Sequence, residues 1–79
     1  MTKKDTYDQI FVEAFFIDKN RLDDELEFET VQEWDSIGHM NLIGMIEDTF
    51  GITMDMDDII DFSSYKRGFE ILEKYGITL

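Results

Sequence analysis

The chain has no cysteine and no proline, one histidine, and only seven Lys and Arg among its 79 residues. Without thiols, neither a disulfide nor a thiolate metal site can brace the fold. A lone histidine cannot supply a zinc site of nitrogen and sulfur ligands. The missing proline removes the strongest helix breaker, and with five glycines this suits a helical chain with few rigid turns. Long apolar runs are also missing. MTKKDTYDQIFVEAFF is broken by Glu13 and lacks the apolar stretch of a signal peptide. Nothing approaches the ~20 apolar residues that span a bilayer, so the expected location is cytoplasmic. Basic residues are scarce against 19 acidic ones, for a net charge of −12. Nucleic acid and acidic membrane surfaces are therefore excluded as expected partners. Solubility alone needs less charge. Partners with basic patches, steered in at long range, fit better. The length suits one domain over residues 1–79, a monomer with a limited core.

Within these limits the chain reads as all-α. Tyr7, Ile10, Phe11, Ala14 and Phe15 recur at helical spacing, with Asp5 or Thr6 as the expected cap and Phe16 and Ile17 widening the stripe. Residues 20–35 form a long acidic connection. Leu22, Leu26, Phe28 and Val31 are its expected pins onto the helices. A second helix runs from about Ser36 to Phe50. At ~100° per residue, Leu42, Ile43, Ile46, Phe50 and His39 share its inner face. Ile37, Asn41, Gly44 and Asp48 lie opposite, with Met40 and Glu47 at the margin. Gly51 ends it in the left-handed conformation. A short helix is expected over Met56–Phe62, capped by Asp55. A last helix opens at Ser63 or Ser64 and closes at Gly76, with Tyr65, Phe69, Leu72 and Tyr75 as its stripe. Met40, Met45, Met54 and Met56 read as core or near-core filler. The expected architecture is three main helices and a short one, packed as a small four-helix bundle.

The segment EWDSIGHM, residues 33–40, holds the chemistry. Asp35 as the N-cap would take up first-turn N–H groups, leaving the Ser36 hydroxyl unconsumed where the helix dipole favours negative charge. A phosphate ester on Ser36 would sit well there. Ile37 and Met40 close by have no folding reason for exposure in so acidic a helix, and such a patch reads as a docking surface. Trp34 reads as an anchor for the chain's entry into the helix. His39, on the inner face without a second catalytic group, reads as a packed histidine bonded to a loop carbonyl. MDMDDIID, residues 54–61, partly imitates a calcium loop. However, the glycine and bidentate glutamate such a loop needs fall on Ile60 and Lys66. No catalytic pair and no metal set is apparent, so an enzyme is not expected.

WDSIGHMNLIGMIEDTFGI resembles the core of the acyl carrier protein family. Asp35-Ser36-Ile37 is followed by Leu42, Ile46, Glu47, Phe50 and Ile52 at the family's spacing, and the resemblance extends over nearly the whole chain. The WDS-x-GHM-x-L variant resembles stand-alone carriers of specialised biosynthetic pathways more than the carrier of primary fatty acid synthesis. The resemblance implies a 4'-phosphopantetheine cofactor, placed on Ser36 beside Asp35 by a phosphopantetheinyl transferase. Acyl intermediates would be held on its thiol as thioesters. It implies further partners: a loading ligase or acyltransferase, and ketosynthases or other acyl-processing enzymes with basic docking patches. Contacts would centre on Ile37, Met40, Asn41, Glu47 and Asp48. Gly38, His39 and Asn41 stand where many carriers have acidic residues, and Gly44 where many have a larger apolar one, so a dedicated partner set is expected. The nearest alternative is an aminoacyl or peptidyl carrier. Those often show Gly-Gly before Asp-Ser, where this chain has Glu33-Trp34. An acidic interaction module without cofactor is the alternative of another class. It leaves Ile37 and Met40 unexplained.

Overall fold

The computed structural model describes residues 2–79, and its helices are α1 (Lys3–Phe15), α2 (Ser36–Phe50), α3 (Met56–Asp61) and α4 (Tyr65–Lys74). A single 3-10 turn, Lys19–Arg21, interrupts the long connection between α1 and α2. The all-α expectation holds, and among the described residues the only β pairing is an isolated bridge between Glu27 and Ser64.

Each helix has a local cause, and three boundaries differ from expectation. α1 starts earlier than Asp5 or Thr6. Thr2 accepts from the Asp5 N–H, and the Asp5 carboxylate accepts from the Thr2 N–H, a reciprocal capping box. Asp55 stands at the N-cap position of α3 but makes no side-chain cap bond, and α3 stops at Asp61. α4 opens as expected at Ser64, which caps it by accepting the Arg67 N–H at 2.9 Å, but it ends at Lys74 rather than at Gly76. Gly51, at φ 67°, closes α2 as expected.

The core is an aromatic cluster. Tyr7, Phe11 and Phe15 on one face of α1 meet Trp34, Phe62 and Tyr65, and the aliphatic side is filled by Leu42, Ile43, Ile46, Ile71 and Leu72. Phe15 stacks on Trp34 with centroids 5.1 Å apart, and Phe11 meets the same indole edge-on at 5.5 Å. The α1 terminus thereby sits at the end of the bundle where α2 begins. Gly68 lets α4 approach closely: a Cβ there would lie 2.0 Å from the Tyr7 hydroxyl and 2.4 Å from the Phe62 ring. Buried Tyr7 donates to the Tyr65 carbonyl at 2.7 Å, and the Tyr65 hydroxyl to buried Asp8 at 2.5 Å, where Lys4 also binds.

The acidic connection is pinned as its apolar residues suggested. Leu26 and Val31 are buried, and Leu22 and Phe28 pack partly against the core. Two backbone bonds add to this, Phe28 N–H to the Ser63 carbonyl and Tyr65 N–H to the Leu26 carbonyl, both 2.9 Å. The expectation for Phe16 is corrected. Phe16 adopts φ 55°, the left-handed conformation, which turns its side chain outward to 86% exposure and returns Ile17 to the core. Met40 and Met56 are likewise exposed, whereas Met54 is buried and Met45 half-buried.

Candidate functional site at the mouth of helix α2

Trp34 brings the chain into α2. It is fully buried, and its indole N–H donates to His39 Nδ1 at 3.0 Å. Because Trp can only donate, Nδ1 is the acceptor. The imidazole proton therefore sits on Nε2, which donates to the Ile59 carbonyl at 2.8 Å. The packed histidine of the sequence reading thus has two partners, and its carbonyl belongs to α3 rather than to a loop. One neutral ring ties the entering loop, α2 and α3 together. Gly38 lets the loop cross the first helical turn, since a Cβ there would stand 1.9 Å from the Glu33 carbonyl oxygen. That role was hidden in the sequence, where Gly38 marks only an uncharged position.

Asp35 has extended backbone, and its carboxylate accepts the Gly38 N–H at 2.8 Å while its carbonyl takes the His39 N–H. The N–H groups of Ser36 and Ile37 find no acceptor among the described residues, the usual state of a first helical turn. The Ser36 side chain is exposed and makes no hydrogen bond within the described chain. An oxygen bonded there faces a positively polarised helix end.

Around this hydroxyl lie the exposed side chains Ile37, 83% accessible, and Met40, 57%. Asn41 and Asp48 are exposed as well. Glu47 differs: it is half-buried, and one carboxylate oxygen accepts the Met54 N–H at 2.8 Å, bracing the turn after α2. Ser36 also borders a cavity of about 360 Å³ between α2 and α3. Phe28, His39, Ile59 and Phe62 form its more buried wall, and Met40, Met56, Ile60 and Ser63 its exposed rim. Met56 and Ile60 were missed as site residues. Their signal was present: two apolar residues one turn apart, on a six-residue helix among acids, both facing out.

Charge is distributed as unevenly as apolar surface. Thirteen of the 19 acidic residues, and none of the Lys or Arg, lie between Leu22 and Tyr65. The α3 acids that turn toward α4 are neutralised by it. Asp58 binds Lys74 at 2.5 Å and the Tyr75 hydroxyl at 2.6 Å, which together hold its carboxyl below the usual range, and Asp61 pairs with Arg67. The charges left on the outer face of α2 and α3 are carboxylates, among them Asp35, Asp48 and Asp57.

An all-α bundle with a bare hydroxyl at a helix mouth, an apolar rim and a carboxylate field has the form of a carrier domain. The family described as phosphopantetheine attachment site matches residues 9–67, from within α1 to the start of α4. The chain belongs to this family, whose prosthetic group is 4'-phosphopantetheine. Its role is that of a phosphopantetheine carrier, and carrier domains of this kind are not themselves catalytic. They work through the enzymes that modify them and process their cargo. Comparison with curated proteins finds no match, and neither does comparison with solved structures. Among the described residues, no helix is long and apolar enough to cross a membrane.

Proposed function

We propose that Ser36 carries the 4'-phosphopantetheine and that residues 1–79 form one non-catalytic acyl carrier domain that works in the cytoplasm. The observation that carries this reading is the Ser36 hydroxyl itself. It is exposed and unbonded, and it is the only hydroxyl on the first turn of α2, where two N–H groups lack acceptors. The residues fit the group: a phosphodiester on this oxygen gains from the helix dipole and the free N–H groups. Asp35 serves by fixing that turn through Gly38.

In the loading step the Ser36 oxygen attacks the phosphorus that bears pantetheine in coenzyme A. The new O–P bond forms as the pyrophosphate bond breaks. Adenosine 3',5'-bisphosphate leaves, and the serine proton passes to a base of the transferase or to water. Once bound, the group would supply a thiol on a flexible tether, able to take cargo in thioester linkage. This chain's part is to orient the tether and to present it.

Acyl cargo is favoured over aminoacyl or peptidyl cargo by the cavity beside Ser36. Its lining is apolar apart from the Ser36 and Ser63 hydroxyls and the His39 ring, whose two nitrogens are already occupied. A polar aminoacyl group would lose water there without finding partners. Ile37, Met40, Asn41 and Asp48, with Glu47 as a half-buried flank, supply an apolar centre in a carboxylate surround. This suits transient docking by a transferase, a loading ligase or acyltransferase, and a ketosynthase or similar enzyme with a basic patch.

Intact-mass analysis after incubation with coenzyme A and a broad-specificity phosphopantetheinyl transferase tests the assignment. One phosphopantetheine addition is expected, absent in Ser36→Ala. An addition that survives Ser36→Ala, or none on the wild type, overturns it.

A further inference from the structure

The methionines, alike as core filler in the sequence, are sorted by the structure into two kinds. Met54 is buried at 4% exposure and packs in the core. Met56, two residues on, is 69% exposed, and Met40 is 57% exposed. The two exposed side chains come from different helices, Met40 from α2 and Met56 from α3. Both nevertheless line the rim of the cavity that borders Ser36. One thioether therefore stands on each helix at the entrance.

Sulfur sets these two apart from the rest of that rim. Ile60 is also exposed there, but an aliphatic side chain is inert to mild oxidants, and a thioether is not. The chain has no cysteine, so no thiol of the polypeptide reacts ahead of the methionines. In its reduced form methionine is apolar and adaptable, which suits a rim that must fit apolar chains of differing shape. In its sulfoxide form it is a polar hydrogen-bond acceptor. A ligand seated in the cavity would strip water from that acceptor. The cavity offers little in return: both nitrogens of the His39 ring are taken, and only the Ser36 and Ser63 side chains bring hydroxyl donors.

We propose that Met40 and Met56 form a reversible oxidation site that closes the cavity to apolar cargo, an inference that rests on the reading of that cavity as the seat of such cargo. Hydrogen peroxide is the oxidant. A sulfur lone pair attacks one peroxide oxygen, the O–O bond breaks and an S–O bond forms. The proton on the transferred oxygen passes to the departing hydroxide, which leaves as water. The sulfur is oxidised by two electrons and the peroxide is reduced by two. Sulfoxide reductases reverse the step, taking two electrons from a dithiol and releasing the oxygen as water.

The test uses the apo chain, hydrogen peroxide and the neutral apolar dye prodan. Peptide mass mapping should find oxygen on Met40 and Met56 first, with buried Met54 about tenfold slower. Prodan should bind the reduced chain, and about tenfold more weakly once both sulfurs carry oxygen, with helical circular dichroism unchanged. Sulfoxide reductases acting on both epimers should restore the affinity. Met40→Leu/Met56→Leu is the companion variant. It should bind prodan within about twofold of the reduced wild type and keep that affinity through peroxide treatment. The oxidation site alone is refuted if Met54 reacts as fast as the exposed pair, if prodan binding is indifferent to peroxide, if helix content falls with oxidation, or if the leucine variant loses affinity equally. A reduced chain that binds no prodan overturns the apolar reading of the cavity and the oxidation site with it. Neither result touches the assignment of Ser36, which transferase modification of the same samples reads separately.

Discussion

The bond between Trp34 and His39 should be the most consequential single polar contact near the site. Replacing His39 by Leu keeps bulk but strands the indole N–H of a fully buried residue, and it also removes the donor to the Ile59 carbonyl. A stranded buried group costs about 1–3 kcal/mol. The Ile59 carbonyl lies nearer the surface, where water can reach it, so the total should be about 2–4 kcal/mol. For a domain this size, stable by roughly 4–12 kcal/mol, that is a large share. Trp34→Phe removes the same donor while keeping a ring for Phe15 to stack on. The double variant should then show a coupling energy of about 1–2 kcal/mol between the two sites. His39→Gln, which keeps an acceptor and a donor, should recover part of the loss. Urea unfolding of the four variants measures the cycle, and nitrogen-15 shifts of the imidazole report its tautomer. Additive losses, or a ring protonated on Nδ1, would refute the account. Hydrogen exchange in α3 should quicken in His39→Leu, because the ring is its tie to α2.

Two glycines should behave unlike the rest. Gly68→Ala and Gly38→Ala each drive a methyl group into atoms 1.9–2.0 Å away, and each should lose about 1–3 kcal/mol by overpacking. Gly44→Ala, with open space around it, should gain a little from helix propensity; thermal unfolding ranks the three. Alkali should destabilise the fold steeply from about pH 10 upward. Burial pushes the Tyr7 phenol well up. Burial and then the bond to Asp8 raise Tyr65 to about 12, and the bond to Asp58 raises Tyr75. Phenols raised in the folded chain stabilise it fully below the unfolded value near 10, and that contribution disappears as pH climbs toward 12. Ultraviolet titration of tyrosinate should therefore lag behind free tyrosine and then coincide with loss of helical circular dichroism. Three independent titrations near 10 would contradict it.

What could be read from the residues depended on the range of the forces involved. Helix faces follow from 3.6-residue periodicity, so Leu42, Ile43 and Ile46 fell inside and Ile37 and Asn41 outside, as the structure has them. The cap at Asp35 and the glycine end at Gly51 are local, and both were legible. Phe16 was misplaced because periodicity assumes helical dihedrals, and a single left-handed residue reverses the direction of its side chain. Thr2 was missed because Asp5 and Thr6 are equally plausible caps until the reciprocal bonds are seen. The cavity could not be read at all. It needs α3, six residues long, set against α2 and the acidic loop, and that placement depends on His39 reaching Ile59 across 20 positions.

That dependence bears on how so small a domain can be rigid where it must hold a tether and yielding where it must release a partner. Its α1 side is locked by stacked rings and by the buried Tyr7, Asp8 and Tyr65 bonds. α3 is held differently. On one side it has the single His39 bond, and on the other the charge-assisted contacts of Asp58 and Asp61 to α4. Apolar packing resists small displacements, whereas polar contacts near the surface exchange readily with water. The wall of the cavity that can move is therefore the one carrying Met56 and Ile60, while Ser36 and Asp35 are fixed on the first turn of α2, anchored by Trp34. On the proposed assignment of Ser36, cargo would meet a fixed point of attachment and an adjustable wall, which suits presentation of one tether to more than one enzyme.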